Sequence, residues 1–413
     1  MEASATSENH QAVASNRGHR SSRGLSWLML LGQFLHLFHT PTDSDMKNEA
    51  NQKNQGSSTD AVKLSKDELL AKHNLPRELP SLVEIRKVIP KHCFQPITSL
   101  SIYYMCKDFF LAVCLFLLCE WTWQVLPISA QVVITPLFWF LQGTVFTAIF
   151  VLGHDAGHSL FSSVELVNTI CGTICHTFLL CPYYMWKLTH RGHHKHTNNL
   201  DRDEAFFPVR KSQDPKVRVQ IPGFGLGIGW FVFFIQGYRP RGTEHYNVLD
   251  PRFRGHVVQC SISLASLIVW CLILNAARQS YGLGFVLYHH TVPCFIYGSY
   301  MLIITFLQHV EEDVPWLSDQ VWGEVQGRLC AVDRSYGWCH SILHNMSTHQ
   351  IHHLFPKIPH YYLEEATAHF RKNFPSLVRI KHDRVLAAFW RMYWRYRKQN
   401  IVDDEEDIFY YNK

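Results

Sequence analysis

The amino-acid sequence predicts an all-α membrane protein: four transmembrane helices, with helices on the cytosolic side that carry a histidine-rich metal site. Three observations predict it. The 413 residues are 47% hydrophobic, yet mean hydropathy is only −0.08, so apolar residues are gathered into blocks with polar stretches between them. Four of those blocks are long enough to cross a bilayer. Three histidine clusters, "HDAGH" from His154, "HRGHHKH" from His190 and "HQIHH" from His349, lie between the blocks or at their ends. Histidine is 26 of 413 residues. Composition alone then gives about 0.1 occurrences of an H-x-x-H-H pattern, and the chain has two.

Residues 1–64, rich in Ser, Asn, Gln and Asp, read as a disordered tail. One apolar island, Leu25–Phe38, interrupts it after Arg17, Arg20 and Arg23. The island is too short to span comfortably, and no small-x-small cleavage site follows it. An interfacial anchor or an extension without a role is expected there. Residues 65–108 read as interfacial amphipathic helices. "SKDE" at Ser65 and "SLVE" at Ser81 are capping boxes. Leu82, Ile85 and Ile89 share a helical face that excludes Arg86 and Lys87, and Pro90 ends that helix.

The membrane domain is expected over residues 109–390, with residues 391–413 as a C-terminal tail. Its spans are Phe109–Leu126, Val132–Leu152, Val257–Ala277 and Leu283–Leu307. The link between the first two has no Lys or Arg, and the link between the last two has only Arg278. The central loop has Lys187, Arg191, Lys195, Arg202, Arg210, Lys211, Lys216 and Arg218. The positive-inside rule puts that loop and both chain ends in the cytosol. Two broken apolar stretches, Leu166–Tyr184 and Gly223–Tyr238, read as interfacial or re-entrant helices, since a lone crossing by either would part the histidine clusters.

Composition excludes other classes. The formal charge of +5 is mild, and a basic stripe interleaved with stacking aromatics is missing, so no nucleic-acid partner is expected. The twelve cysteines form no C-x-x-C pair, and several lie in apolar runs as small hydrophobes. Neither a disulfide framework nor a zinc ribbon follows.

His154 and His158 are four apart. His190, His193 and His194 stand at i, i+3 and i+4, as do His349, His352 and His353, so each group converges on one side of a helix. All three groups fall at the cytosolic ends of the spans and can meet beneath one bundle. A lone histidine is ordinarily a surface or helix-end group, but three convergent clusters are a metal site. Eight imidazoles exceed the four ligands of one zinc. Imidazole also suits iron, and eight or nine ligands furnish two sites of four or five. The Glu-x-x-His pairs of soluble di-iron bundles are missing, so such a pair would be held by nitrogen. His309, closing the fourth span in "FLQH", is placed as a ninth ligand. His344 is a candidate ligand or supporting donor, and Asp155 a candidate acceptor for a ligand ring N–H. His340 reads as structural and His196 as solvated. Asp201, Asp203 and Glu204 in "NLDRDE" divide evenly between solvated charges and functional groups. His289 and His290, roughly 28 Å from His309 along the fourth span, are not ligands; they read as luminal interface anchors or tunnel-end residues.

These three boxes around two pairs of spans resemble the membrane fatty-acyl desaturases, over about Pro80 to Pro375. Within that superfamily "PSLVEIRKVIPKHCF", "FLQH", "VDRSYG" and "HHLFPKIPHYYLEEAT" are similar to the methyl-end (omega-3/omega-6) group. The third box opens with His349, where front-end enzymes have Gln, and the H-P-G-G haem motif of their fused domain is missing. The resemblance implies a di-iron centre with His154, His158, His190, His193, His194, His349, His352 and His353 as ligands, and His309 as the additional one. It also implies a fatty-acyl lipid or acyl-CoA substrate and dioxygen. Electrons would come from separate cytochrome b5 and its NADH-dependent reductase, in the endoplasmic reticulum membrane. The C-terminal "YYNK" only faintly matches an aromatic retrieval signal.

Acyl methylenes have no acidic proton, so acid–base groups and nucleophiles are of no use against them. Oxidation at a metal is the route, with the protein supplying geometry. Rival outcomes are hydroxylation, acetylenic bond formation or epoxidation at the same metals. A metal transporter is a rival of another class, disfavoured because transport sites lie near mid-membrane. Plant omega-6 enzymes tend to read "HLFSTMPHY" after the third box, and omega-3 enzymes close to "HLFPQIPHYHL". "HLFPKIPHYYL" (His353 to Leu363) resembles the latter, with Lys357 and Tyr362 as departures. Omega-3 desaturation of omega-6 acyl chains is therefore expected, and omega-6 (Δ12-type) desaturation of oleate is the alternative.

Overall fold

The computed structural model describes residues 64–214 and 222–412. The apolar island Leu25–Phe38, the rest of the expected tail to residue 63, and Lys216 and Arg218 lie outside the described residues.

Two short helices open the described chain, α1 (Lys66–Lys72) and α2 (Leu82–Lys87), both started by the expected capping boxes. Ser65 N–H donates to Glu68 Oε2 at 2.7 Å, and Ser81 N–H donates to Glu84 Oε2 at 2.7 Å. Each satisfies a backbone donor that the first helical turn leaves free. Ile85 and Ile89 bury their shared face against Ile351, Leu354 and Phe370, which come from the segment around the third histidine box.

Four helices are long and apolar enough to cross a membrane: α3 (Thr98–Val125), α4 (Ile128–Gly157), α8 (Val257–Tyr281) and α9 (Leu283–His309). Between them lie α5 (Glu165–Phe178), α6 (Tyr183–Lys195) and α7 (Gly227–Gln236). Burial separates the long helices into two kinds. The apolar windows of α4 and α9 are 50% and 56% buried, those of α3 and α8 only 17% each. The inner pair therefore carries the packed interior, and the outer pair presents Val, Leu and Ile outward as a lipid-facing surface does. Small residues set the closest approaches: a Cβ on Gly298 would lie 2.7 Å from the Gly227 carbonyl oxygen. No larger residue fits between α9 and α7 there.

The expected boundaries shift in two places. Helix α3 begins at Thr98, inside the stretch assigned to interfacial helices, because Asp108 does not end it; that carboxylate is buried and paired. Helices α5 and α6 are two pieces turned by 104°, and the ten residues of α7 are too few to cross a bilayer. The expected C-terminal tail is instead woven in. Helix α13, after α10 (Glu324–Arg328), α11 (His349–Leu354) and α12 (Leu363–Asn373), runs Val385–Gln399 across the expected boundary at residue 391. Ile401–Val402 then pairs in parallel with Val209–Arg210, Ile408–Phe409 pairs antiparallel with Trp316–Leu317, and Tyr411 is fully buried.

The intramembrane histidines are tied to neighbours. His289 pairs with Glu120 at 2.7 Å, and His290 Nε2 lies 2.8 Å from the Phe178 carbonyl oxygen. Both occupy a π-helical turn of α9, Leu287–Thr291.

Candidate metal centre

Helix geometry sends each histidine trio to two places at once. Consecutive helical residues are turned by about 100°, so His193 and His194 stand roughly 60° and 40° to either side of His190, as His352 and His353 do about His349. The trios do face one side, as expected, but as a wedge rather than a stripe. His190 and His194 of α6 join His154 and His158 from the end of α4 and His352 of α11 in one cluster. His193 joins His309, the last residue of α9, and His353 in a second. Within each cluster the donor nitrogens lie within 4.8 Å of one another. His349 adds to the second: its Nε2 is 3.0 Å from His309 Nε2. All nine histidines proposed as ligands from the sequence are thus brought together, as five and four. His194 and His353 stack at 4.1 Å between ring centroids and join the two clusters.

The donor set fits two metal ions. Two imidazole nitrogens bound at about 2.1 Å to one ion, at angles near 90–110°, are separated by roughly 3.0–3.4 Å. His190–His194 and His193–His309 Nε2 atoms are each 3.1 Å apart. His158, His352 and His353 bury Nε2 atoms that have no hydrogen-bond partner among the described residues. Burial, with the neighbouring rings adding to it, holds protonation of His349, His352 and His353 well below the usual histidine range. These rings are therefore neutral near pH 7, the form that offers a lone pair.

An apolar cavity opens beside the imidazoles. Phe150, Val151, Trp230, Phe233 and Met301 form its walls, and His154, His190, His193, His309, His349 and His352 face it. Residues 130–384, more than half the chain, match the fatty acid desaturase family. The chain is 31% identical over 357 residues to an omega-6 fatty acid desaturase, endoplasmic reticulum isozyme 2, of Glycine max, covering 82% of this chain and 93% of that one. It is 34% identical over 326 residues to a Δ12-oleate desaturase of Trichosanthes kirilowii (75% and 88%). To an sn-1 acyl-lipid omega-3 desaturase (ferredoxin) of Synechocystis it is 31% identical over 328 residues (77% and 88%). The chain belongs to the fatty acid desaturase family.

The desaturase orients its imidazoles through buried partners. His193 Nδ1–H donates to Asp203 Oδ1 at 2.8 Å, and Asp203 is fully buried. Thr197 Oγ1 lies 2.9 Å from His353 Nδ1 and donates its own proton to the His193 carbonyl at 3.1 Å. His353 Nδ1 therefore carries the proton in that contact, and its unpartnered Nε2 is the lone pair. Carboxylates and hydroxyls that hold ligand imidazoles in this way fix both tautomer and ring direction. Asp333, in the "VDRSYG" stretch, accepts the Gln350 N–H at 2.7 Å and the Arg371 guanidinium at 2.7 Å. It thereby pins the first turn of α11, where an anion is also favoured by the helix dipole.

Other sequence expectations resolve differently. Asp155 reaches His154 Nδ1 only at 3.5 Å; its closer partner is His360, through both N–H and Nδ1 at 3.0 and 2.9 Å. His344 joins neither cluster, since its Nε2 is 2.6 Å from Asp108 Oδ2 and its ring packs on His360. His196 is half-buried beside Trp322 rather than solvated. His340 sits between Glu364 and Ser347, a structural role as expected. Sequence reasoning missed Thr197, Asp108 and His360. A carboxylate within an apolar helix is a functional signal in itself, and Asp108 stands one residue before the apolar run that begins at Phe109.

Proposed function

We propose that this desaturase inserts a cis double bond near the methyl end of a fatty-acyl chain, by omega-3 desaturation of omega-6 acyl groups. The observation that carries the reaction class is the pair of imidazole clusters on the wall of an apolar cavity. In this reading the ligands are His154, His158, His190, His194 and His352 for one iron, and His193, His309, His349 and His353 for the other. Bound iron would supply the one-electron and dioxygen chemistry that an unactivated methylene requires. The chain's own residues do the rest. Asp203 and Thr197 hold protons on the outward nitrogens of His193 and His353, so that the inward lone pairs stay directed at the metals. Trp186 stacks on His190 at 4.6 Å and closes the apolar side against water. Phe150, Trp230 and Met301 hold the acyl chain by contact alone, which fixes its path without competing for the metals.

The regiochemical reading rests on the segment after the third box. His360 and Leu363 reach the cavity wall, and Pro356 and Pro359 fix backbone angles just before them. Lys357, a departure from the omega-3 pattern, donates to the His158 carbonyl at 2.7 Å and so ties this segment to the first box. A second reading, omega-6 desaturation of oleate, is favoured by the names of two relatives, the Glycine max and Trichosanthes kirilowii enzymes. The electron donor in this proposal is cytochrome b5 with its NADH-dependent reductase. The membrane is that of the endoplasmic reticulum, with the histidines toward the cytosol. Expression in a yeast host that makes no polyunsaturates, fed oleate or linoleate separately, tests the proposal. The expected result is a new double bond three carbons from the methyl end of linoleate. Conversion of oleate with linoleate untouched would select the second reading.

A further inference from the structure

A third group of metal-binding side chains stands apart from the two histidine clusters. His92 and Cys93 are neighbours in the short helical turn Lys91–Phe94, and Glu365 lies in the first turn of α12. His92 Nε2 is 2.9 Å from Glu365 Oε2, and the imidazole, thiol and carboxylate donors all lie within 4.8 Å of one another. None of the three residues lines the cavity or belongs to either cluster.

Both elements hold their donors in place. Pro90 starts the turn, and its carbonyl accepts the Cys93 N–H at 3.1 Å. Tyr362 packs edge-on against the His92 ring at 5.2 Å, and Leu363, Ala366 and Phe370 bury one face of α12. Cys93 is fully buried in the cluster formed with Ile85, Leu354 and Phe370, yet its sulfur stands beside two polar donors. His92 and Glu365 are half-exposed, which leaves an ion a path in from water.

The donor set selects the ion. Thiolate, imidazole and carboxylate are the three side-chain ligand types of zinc, whereas magnesium and calcium sites are built from oxygen. An exposed imidazole–carboxylate pair contributes little by itself and calls for no thiol at its side. Donors around a tetrahedral zinc stand roughly 3.3–3.6 Å apart, so the separation left to close is within side-chain rotation. Three protein donors leave the fourth position to water.

We propose that His92, Cys93 and Glu365 bind a zinc ion, a third metal site that fastens the segment before the first span to the helix after the third histidine box. His92 and Glu365 are 273 residues apart in sequence, so the ion acts as a cross-link and its effect falls on stability.

The test reads sulfur, which the histidine clusters lack, so the result does not depend on what they hold. Iron-loaded full-length protein in detergent is given one equivalent of zinc and measured by zinc K-edge X-ray absorption. A sulfur neighbour at about 2.3 Å is expected in the wild type and none in Cys93→Ala. Cobalt(II), whose thiolate charge-transfer band appears only at a sulfur-ligated site, then gives the affinity. His92→Ala and Glu365→Gln remove half-exposed donors and leave the apolar cluster whole. Each should shift the cobalt titration at least about tenfold, since losing a group that only orients a ligand already costs about 10–100-fold. Saturating zinc should raise the wild-type melting temperature, and raise it less in each variant. A zinc shell without sulfur in the wild type, a cobalt band that survives in Cys93→Ala, or wild-type titrations from both His92→Ala and Glu365→Gln would overturn the proposal. If Cys93→Ala fails to fold, the other two variants decide it.

Discussion

Replacing Asp203 with Asn is the sharpest perturbation of the second cluster that leaves every imidazole in place. Asp203 accepts three hydrogen bonds: from His193 Nδ1 at 2.8 Å and Ala205 N at 3.1 Å on Oδ1, and from Asn198 N at 2.8 Å on Oδ2. An amide has only one acceptor oxygen. If that oxygen takes the Oδ1 position, the new NH2 faces the Asn198 N–H; if it takes the other, the NH2 faces His193. Either orientation leaves a buried donor facing a donor, at a cost of about 1–3 kcal/mol of stability. The weaker hold on His193 should also lower metal affinity about 10–100-fold. The assay is iron retention against increasing chelator, with thermal melting measured on the same samples. Asp201→Asn is the control, since Asp201 pairs with Arg210 and the Asp319 N–H and touches no imidazole. Folded Asp203→Asn protein that keeps iron as tightly as the wild type would refute the assignment of Asp203 as the group that orients His193.

Two other perturbations follow from packing and charge. A Cβ at Gly153 would overlap the His176 ring, which is fully buried and stacked on Phe150 at 4.5 Å. Gly153→Ala should therefore cost about 1–3 kcal/mol and loosen iron retention by moving the adjacent His154; a wild-type melting curve would contradict the tight α4–α5 contact. Burial alone would raise the carboxyl of Asp383, but hydrogen bonding by Arg391 and the charge of Arg334 outweigh it and hold it below the usual range. A depressed folded pKa adds stability that is present above the unfolded value and lost as pH falls through the folded one. Melting temperature should accordingly fall in acid below about pH 4, and Asp383→Asn should flatten that limb; an unchanged limb would place its origin elsewhere.

Much of the site was legible because its ligands announce themselves by type and spacing. Spacing of 3 and 4 within a helix brings imidazoles to one side whatever the tertiary context, and span parity brings the clusters to one end. The division of each trio between two clusters depends on the angle between α6, α11 and the end of α9, which no local pattern encodes. Asp203 and Thr197 act through partners ten and 156 positions away in sequence, and their residue types are equally at home in a solvated loop. The C-terminal segment is hidden in the sequence for a related reason. Its strands are two residues long and pair with loops far upstream, so no periodicity marks them. Capping boxes at Ser65 and Ser81 were readable because both partners lie within one turn.

The central claim is that the nine histidines hold two irons in a shell of nitrogen, and metal analysis with iron K-edge X-ray absorption tests it most directly. Protein purified without oxygen should carry about two irons per chain, with a first shell fitted by imidazole nitrogen. His158→Ala and His353→Ala, one from each cluster, should each lose iron and abolish turnover while the fold persists. One iron per chain, zinc in place of iron, or folded and active protein from either variant would contradict the account.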